Sequence, residues 1–226
     1  MTNFALLQTN IAFCDPEANF KRVRELFAQA MAKDPRPDVV VLPEDWSAGF
    51  SDEMFHHMED FVEPENGPSV TVLRELARQE GTVLTFVEEN IVTFPLGRAQ
   101  IILYPPMGQG TSNEEGLFAL CSVEEFDLLI TGDADAFVER MLVKYQPLPD
   151  LELLMVGHHG SAGSTDPALL DRLRPELAII SVGHNSYGHP AQEVLDCLAE
   201  AGAQVWRTDQ SGSITVTVQD GLVSIH

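Results

Sequence analysis

The stretch LLMVGHHGSAGST, residues 153–165, ends an apolar run on the adjacent pair His158 and His159, followed by Gly160 and Ser161. A short, continuous apolar run is what a strand buried on both faces of a parallel sheet requires. Loops after such strands converge beyond their carboxyl ends, and α/β sheets bind ligands there. Three further runs end in the same way. LLITGDAD stops on Gly132 and Asp133, AIISVGHNSYGHP carries His184, Asn185 and His189, and VWRTDQSGSI carries Arg207, Thr208 and Asp209. A carboxylate grouped with imidazoles suits Zn²⁺ or Mn²⁺, and the carboxylate is able to bridge two ions. Each loop alone also has a plainer reading. Gly-Asp after a strand makes a turn or a helix N-cap, His-His-Gly a capping turn, His189 the residue before a helix at Pro190, and His184 a surface position.

Outward from these loops, strands and helices alternate. FALLQTNIAF is rich in strand formers, and Asp15 then offers an N-cap with Pro16 at the first helical position. Phe20, Val23, Leu26, Phe27 and Ala30 follow at three- and four-residue steps, the pattern of an amphipathic helix. DVVVLPE reads as a buried parallel strand, GPSVTVLRELARQEG as a helix stopping at Gly81, and TVLTFVEE as a third strand. From about Ile91 the texture changes. NIVTF, AQIILY, EGLFALCS and FDLLITGD follow one another across Pro and Gly turns with no helix between them, which predicts an antiparallel meander. Alternation then resumes and ends on SITVTVQDGLVSI. Both textures fit an α/β, four-layer αββα sandwich with mixed sheets, closed as one body over residues 1–226 and made of halves 1–90 and 91–226.

The formal charge is −22, from 35 acidic and 13 basic side chains, and the lysines are Lys21, Lys33 and Lys144. That balance opposes nucleic-acid partners, whose phosphates need clustered Lys and Arg, and favours cations. No apolar run approaches the roughly 20 residues of a membrane span, and MTNFALLQTNIAF lacks the basic start of a signal peptide. The expectation is a soluble, cytoplasmic protein with no membrane partner. Cys14, Cys121 and Cys197 form no CxxC pair, so reduced, half-buried thiols are expected.

DLLITGDAD, VGHHGSAGST, RPELAIISVGHNSYGHP and VWRTDQSGSITV, in this order and spacing, resemble the C-terminal half of the metallo-β-lactamase-like domain of ComEC competence proteins. LYPPMGQGTSNEEGL matches that family's Pro-rich, Asn-containing loop, and the resemblance runs from about residue 92 to 220. It implies an αββα sandwich that hydrolyses phosphodiesters or other esters with one or two metal ions; the ComEC domain is held to be a nuclease for the non-transported DNA strand. Carried over, Asp133 is a metal-binding and catalytic carboxylate, His158 or His159 a ligand with His158 catalytic, and His189 a residue lining the metal. Asn113, Ser161, His184, Asn185 and Asp209 would support the site or touch substrate. Two departures accompany the resemblance. The HxHxDH signature of that family's first half is absent, since the only other pair, His56 and His57, has neither its spacing nor the following Asp-His. Gly116 also stands where related loops commonly carry Ser.

ALLQTNIAFCDPEANFKRVRELFAQA, DVVVLPEDWSAGF and ENGPSVTVLRELARQEGTVL resemble instead the start of the carbon–nitrogen hydrolases, the nitrilase and amidase superfamily, over residues 3–86. That resemblance makes Glu44 the general base of a Glu-Lys-Cys set. The set is incomplete, because no lysine lies between Lys33 and Lys144. Three functions follow from the two resemblances: an incomplete metal-dependent phosphodiesterase with Zn or Mn, a catalytically inert hybrid or designed αββα protein, and an amidase remnant using Glu44.

Overall fold

The computed structural model describes residues 4–7, 11–37, 39–42, 46–48, 63–64, 66–81, 90–108, 116–219 and 222–225. Glu44, Asn113, His56, His57 and the expected strand TVLTFVEE lie outside them. The chain divides into two compact units, residues 1–86 and 87–226.

In the first unit, β1 (Phe4–Leu6) pairs in parallel with β2 (Val39–Val41), Phe4 opposite Val39. Helix α1 (Pro16–Met31) starts where Asp15 and Pro16 predict, and the Asp15 side chain accepts the Ala18 N–H at 3.1 Å. Helix α2 (Pro68–Glu80) stops at Gly81, which takes a left-handed conformation with φ 68°. That conformation caps a helix C-terminus at little cost only in glycine. Phe20 and Val23 of α1 bury against Val72 and Leu76 of α2, with Phe27, Leu42 and Trp46 packed around them. This is the apolar stripe that the three- and four-residue spacing dictates.

The second unit is built on a seven-stranded sheet in the order β3-β4-β5-β6-β7-β8-β9. Its strands are β3 (Val92–Leu96), β4 (Ala99–Tyr104), β5 (Phe118–Val123), β6 (Phe126–Ile130), β7 (Leu153–Met155), β8 (Leu177–Ile180) and β9 (Gln204–Arg207). The first four form the antiparallel meander expected from sequence, and β6 to β9 run parallel. Pro95 lies within β3, at the edge of the sheet, where its missing N–H breaks no ladder. Helices α3 (Ala136–Tyr145), α4 (Pro167–Leu173) and α5 (Gln192–Glu200) make the crossovers. Successive crossovers of one hand put all three helices on one face. There Val138, Leu142, Leu169, Leu173, Val194 and Leu198 close a core with Leu129, Leu154, Ala178 and Ile180.

The alternate residues Phe126, Leu153 and Ile179 face the other way and are covered by Trp206, Ile214, Val216 and Val218. In the closing apolar run, after the single turn α6 (Thr208–Ser211), β10 (Val216–Gln219) pairs antiparallel with β11 (Leu222–Ile225). The structure is thus mixed α/β, with a mixed sheet as expected. Cys14, Cys121 and Cys197 are half-buried thiols.

Candidate functional site

The loops after β6, β7, β8 and β9 all leave the carboxyl ends of parallel strands, so the sheet carries their polar residues to one edge. Strand β7 stops at Met155, and Gly157–Gly160 form a tight turn in place of a further strand. His158 and His159 both sit in the left-handed region, φ 47° and 53°. Non-glycine residues hold that conformation only where neighbours enforce it. The neighbours are identifiable. The His158 N–H donates to Gly132 O at 2.8 Å, which ties the turn to the loop after β6. Ser161 N–H donates back to His158 O at 2.9 Å, and the Ser164 hydroxyl, buried, donates within reach of both Gly157 O (3.0 Å) and Ser161 O (2.9 Å). A Cβ at Gly157 would lie 2.7 Å from Thr131 Oγ1 and 3.1 Å from Gly132 O, so the two loops meet at a distance only glycine permits.

His158 meets His189 edge to face with ring centroids 5.7 Å apart, and Tyr187 stacks on His189 at 6.0 Å. Burial lowers the affinity of His189 for a proton, the His158 and His159 rings lower it further, and the Asp133 carboxylate opposes them. His158, His159 and Asp133 therefore all act on His189. His159 Nδ1 lies 2.7 Å from Ser181 O. A carbonyl only accepts, so Nδ1 donates here, which fixes the ring and leaves Nε2 as the nitrogen that would face a ligand. The donor set suits a borderline divalent cation. It does not amount to a complete centre. Among the described residues no three His, Cys, Asp or Glu side chains gather closely enough to hold one ion, whereas a catalytic zinc needs three protein ligands and an open position.

The remaining candidates take other roles. Asn185 spends its amide on its own loop: Oδ1 accepts from the N–H of Tyr187 (3.1 Å) and His189 (3.0 Å), and Nδ2 donates to the carbonyls of Gly183 (2.9 Å) and His189 (2.8 Å). It shapes the His189 loop and keeps no amide donor or free geometry for substrate. Ser161 Oγ accepts weakly from Gly163 N–H at 3.4 Å and is half-buried. His184 is exposed and is not among the groups that act on His189. Asp209 pairs with Arg207 at 2.6 Å, which holds its carboxyl below the usual range, so both charges are engaged with each other.

Two residues outside the candidate set matter to the geometry: Thr208, from the quoted strand-end motif, and Glu139, which the sequence reading passed over. Thr208 Oγ1 accepts from Val182 N–H at 2.7 Å and lies 2.8 Å from Val182 O, linking the ends of β8 and β9. Glu139, on α3, is completely buried behind the two site loops. Thr208 stands next to the strand-terminal Arg207 in the quoted motif. For Glu139 the available signal is its place beside Val138 and Leu142 on the inner side of the helix.

Comparison with known proteins relates the chain to two groups. A carbon-nitrogen hydrolase family model matches residues 3–94, less than half of the chain. ComE operon protein 3 of Bacillus subtilis is 34% identical over 142 residues, 62% of this chain and 18% of that protein. Competence protein ComA of Neisseria gonorrhoeae is 39% identical over 89 residues, 38% of this chain and 13% of that protein. The chain thus spans less than a fifth of the length of these curated relatives. Among solved structures, CmlA, a diiron beta-hydroxylase from Streptomyces venezuelae, aligns with a TM-score of 0.47 and 14% identity over 83% of this chain and 40% of that one, a likeness too distant to inform the site. Two resemblances therefore hold for this chain: to ComEC-type competence proteins, and, over residues 3–94, to carbon–nitrogen hydrolases.

Proposed function

We propose that this chain carries an incomplete metal-dependent hydrolase site of the metallo-β-lactamase type, suited to a phosphodiester, with Asp133, His158, His159 and His189 as its metal-binding rim. The observation that carries the reading is the edge-to-face approach of His158 and His189 at 5.7 Å, with Asp133 acting on His189. A bound Zn²⁺ or Mn²⁺ would supply Lewis-acid chemistry there. The chain's own contribution is to orient His159 through its Nδ1 contact with Ser181 O and to hold the His189 imidazole below its ordinary range. Lacking a three-ligand group among the described residues, this rim is expected to bind a cation weakly and not to turn over alone. The four-layer αββα closure over 1–226 belongs to the same proposal, and a single unfolding transition of the full chain would test it. The charge of −22 supports a reading without nucleic-acid partners. No helix among the described residues is long and apolar enough to cross a membrane.

Calorimetric titration of the full chain with Mn²⁺ or Zn²⁺, alongside hydrolysis of bis-p-nitrophenyl phosphate, is the test. Binding weakened at least tenfold by Asp133→Ala and by His189→Ala supports the rim. No heat of binding at millimolar metal overturns it and leaves the inert hybrid as the reading. Turnover that Asp133→Ala abolishes would mean that residues outside the described set complete the centre.

The family match over residues 3–94 favours an amidase remnant as the second reading, with Glu44 as base. It lacks a nucleophile. Burial and the Asp127 carboxylate push the Cys121 thiol up, the opposite of what a thiolate nucleophile needs. Amidase activity lost in Glu44→Gln would be required to keep this reading.

A further inference from the structure

Glu139 is a carboxyl with no exposed surface, carried on the helix that grows out of the Asp133 loop. Burying such a group is costly, and an apolar side chain of the same volume would pack there without that cost. Its surroundings explain what it does. Asp135 caps α3 by accepting the N–H of Phe137 (2.9 Å) and Val138 (3.1 Å), so the helix axis is fixed by the Asp133 loop itself. One turn later Glu139 Oε2 accepts the Asp166 N–H at 2.6 Å, and the Thr165 N–H acts on the same carboxyl. Thr165 has φ 63° and, with Asp166, is buried, so the Asp166 amide depends on an acceptor inside the protein, which Glu139 supplies. Thr165 and Asp166 end the loop that begins at His158. The neighbouring Arg140 pairs with the Asp166 carboxylate, and Ala136 N–H donates to Gly163 O at 2.9 Å. Residues 136, 139 and 140 of one helix thus grip residues 163–166 of the other loop.

We propose that Glu139 is a positioning residue whose carboxyl, by accepting the backbone amide of Asp166, locks the His158 loop against the Asp133 loop and so sets the spacing of Asp133, His158 and His189. The proposal rests on the reading that these three residues form one site, but not on a metal. Glu139 touches neither substrate nor cation. Its other oxygen, Oε1, is buried without a partner among the described residues and lies 3.6 Å from where a Cβ of Gly157 would be, directly under the turn. The loop geometry therefore closes over a carboxyl that bridges to it from below.

The experiment is NMR on the metal-free full chain, reading the cross-relaxation between the His158 and His189 rings and the exchange rate of the Asp166 amide, with thermal melts alongside. Glu139→Gln keeps a carbonyl oxygen for the amide and is expected to retain both signals. Glu139→Met fills the same volume without an acceptor, and is expected to weaken the ring–ring signal at least threefold and to speed Asp166 exchange by about tenfold, while remaining folded. Because Met risks the fold, Glu139→Asp serves as the second variant: the carboxyl stays, but the reach falls one methylene short, and the same two losses are expected. Wild-type ring contact in folded Met or Asp variants overturns the proposal, as does the absence of that contact in the wild type. A failed metal titration with the ring contact still following residue 139 would remove the metal reading and leave the positioning role standing.

Discussion

Asn19 and Glu139 are both buried polar side chains at places where two loops meet, one in each unit. Asn19, 3% exposed, receives the Ala12 N–H at 2.8 Å and donates to Ala12 O at 2.7 Å and Ser47 O at 2.9 Å. Its amide is neutral and well paired, so it closes its loops at little cost and without regard to pH. Glu139 has one oxygen bonded and the other without a partner among the described residues. Burial, first of all, raises its carboxyl to about 7, against the pull of the Asp166 and Thr165 amides and with help from the Asp166 and Asp135 charges. The difference teaches where tension is stored. The first unit uses a satisfied amide as a fastener, and the second uses a titratable acid directly beneath its candidate site.

The comparison breaks most sharply at glycine. Gly160 has φ 80°, and a Cβ there would lie 2.6 Å from Pro190 Cβ, whereas Gly81 has φ 68° and open space around it. Gly160→Ala should cost about 3–4 kcal/mol, strain plus clash, and Gly81→Ala about 1 kcal/mol, strain alone. Urea unfolding of the two variants checks this, and equal losses would refute the crowding around Pro190.

Next in size is the pH dependence of the second unit. In the unfolded chain Glu139 titrates near 4.5 and in the folded chain near 7. Between those values the folded state holds a proton the unfolded state has lost. Its stabilising share is therefore complete below about 4.5 and disappears as pH rises through about 7, a loss of about 3 kcal/mol. The difference in urea stability between wild type and Glu139→Gln, followed from pH 4 to 8, should carry this slope. A difference that does not change with pH would place the carboxyl in a more polar setting.

Asn19→Ala should cost about 2 kcal/mol, because it leaves Ala12 and Ser47 backbone groups buried without partners. That loss should be independent of pH, unlike the one at Glu139. The smallest effect concerns His189. Its imidazole should titrate below the ordinary value of 6.5, move back toward it in His158→Ala, and move further down in Asp133→Ala, where the one opposing charge is gone. Proton NMR titration of the ring reads all three, and an upward move in Asp133→Ala would mean that the carboxylate does not face His189.

Much of this was legible in the sequence because it is local. Asp15-Pro16 and Gly81 bound their helices through hydrogen bonds and backbone preferences that span a turn or less. The apolar runs gave the strands, and the residues at their ends gave the candidates Asp133, His158, His159 and His189, since a strand delivers whatever follows it to the sheet edge. Glu139 was not legible, because a charged residue on an amphipathic helix reads as part of the solvated face. Nor was the fate of Asn185 and Asp209, whose polar atoms turned out to be occupied by their own loop and by Arg207.

Among the described residues, the sequence by itself determined the order of the main strands and helices, the antiparallel meander before the parallel strands, and the four polar loops. Only the tertiary structure decided that His158 meets His189 edge to face, that His159 presents Nε2, and that His158 and His159 both occupy the left-handed region. The physical reason is range. A helix or strand is set by neighbours a few residues away. The loops at this rim are held by bonds such as His158 N–H to Gly132 O and Asp166 N–H to the Glu139 carboxyl, between segments distant in sequence, and these exist only once the sheet has brought its strands together.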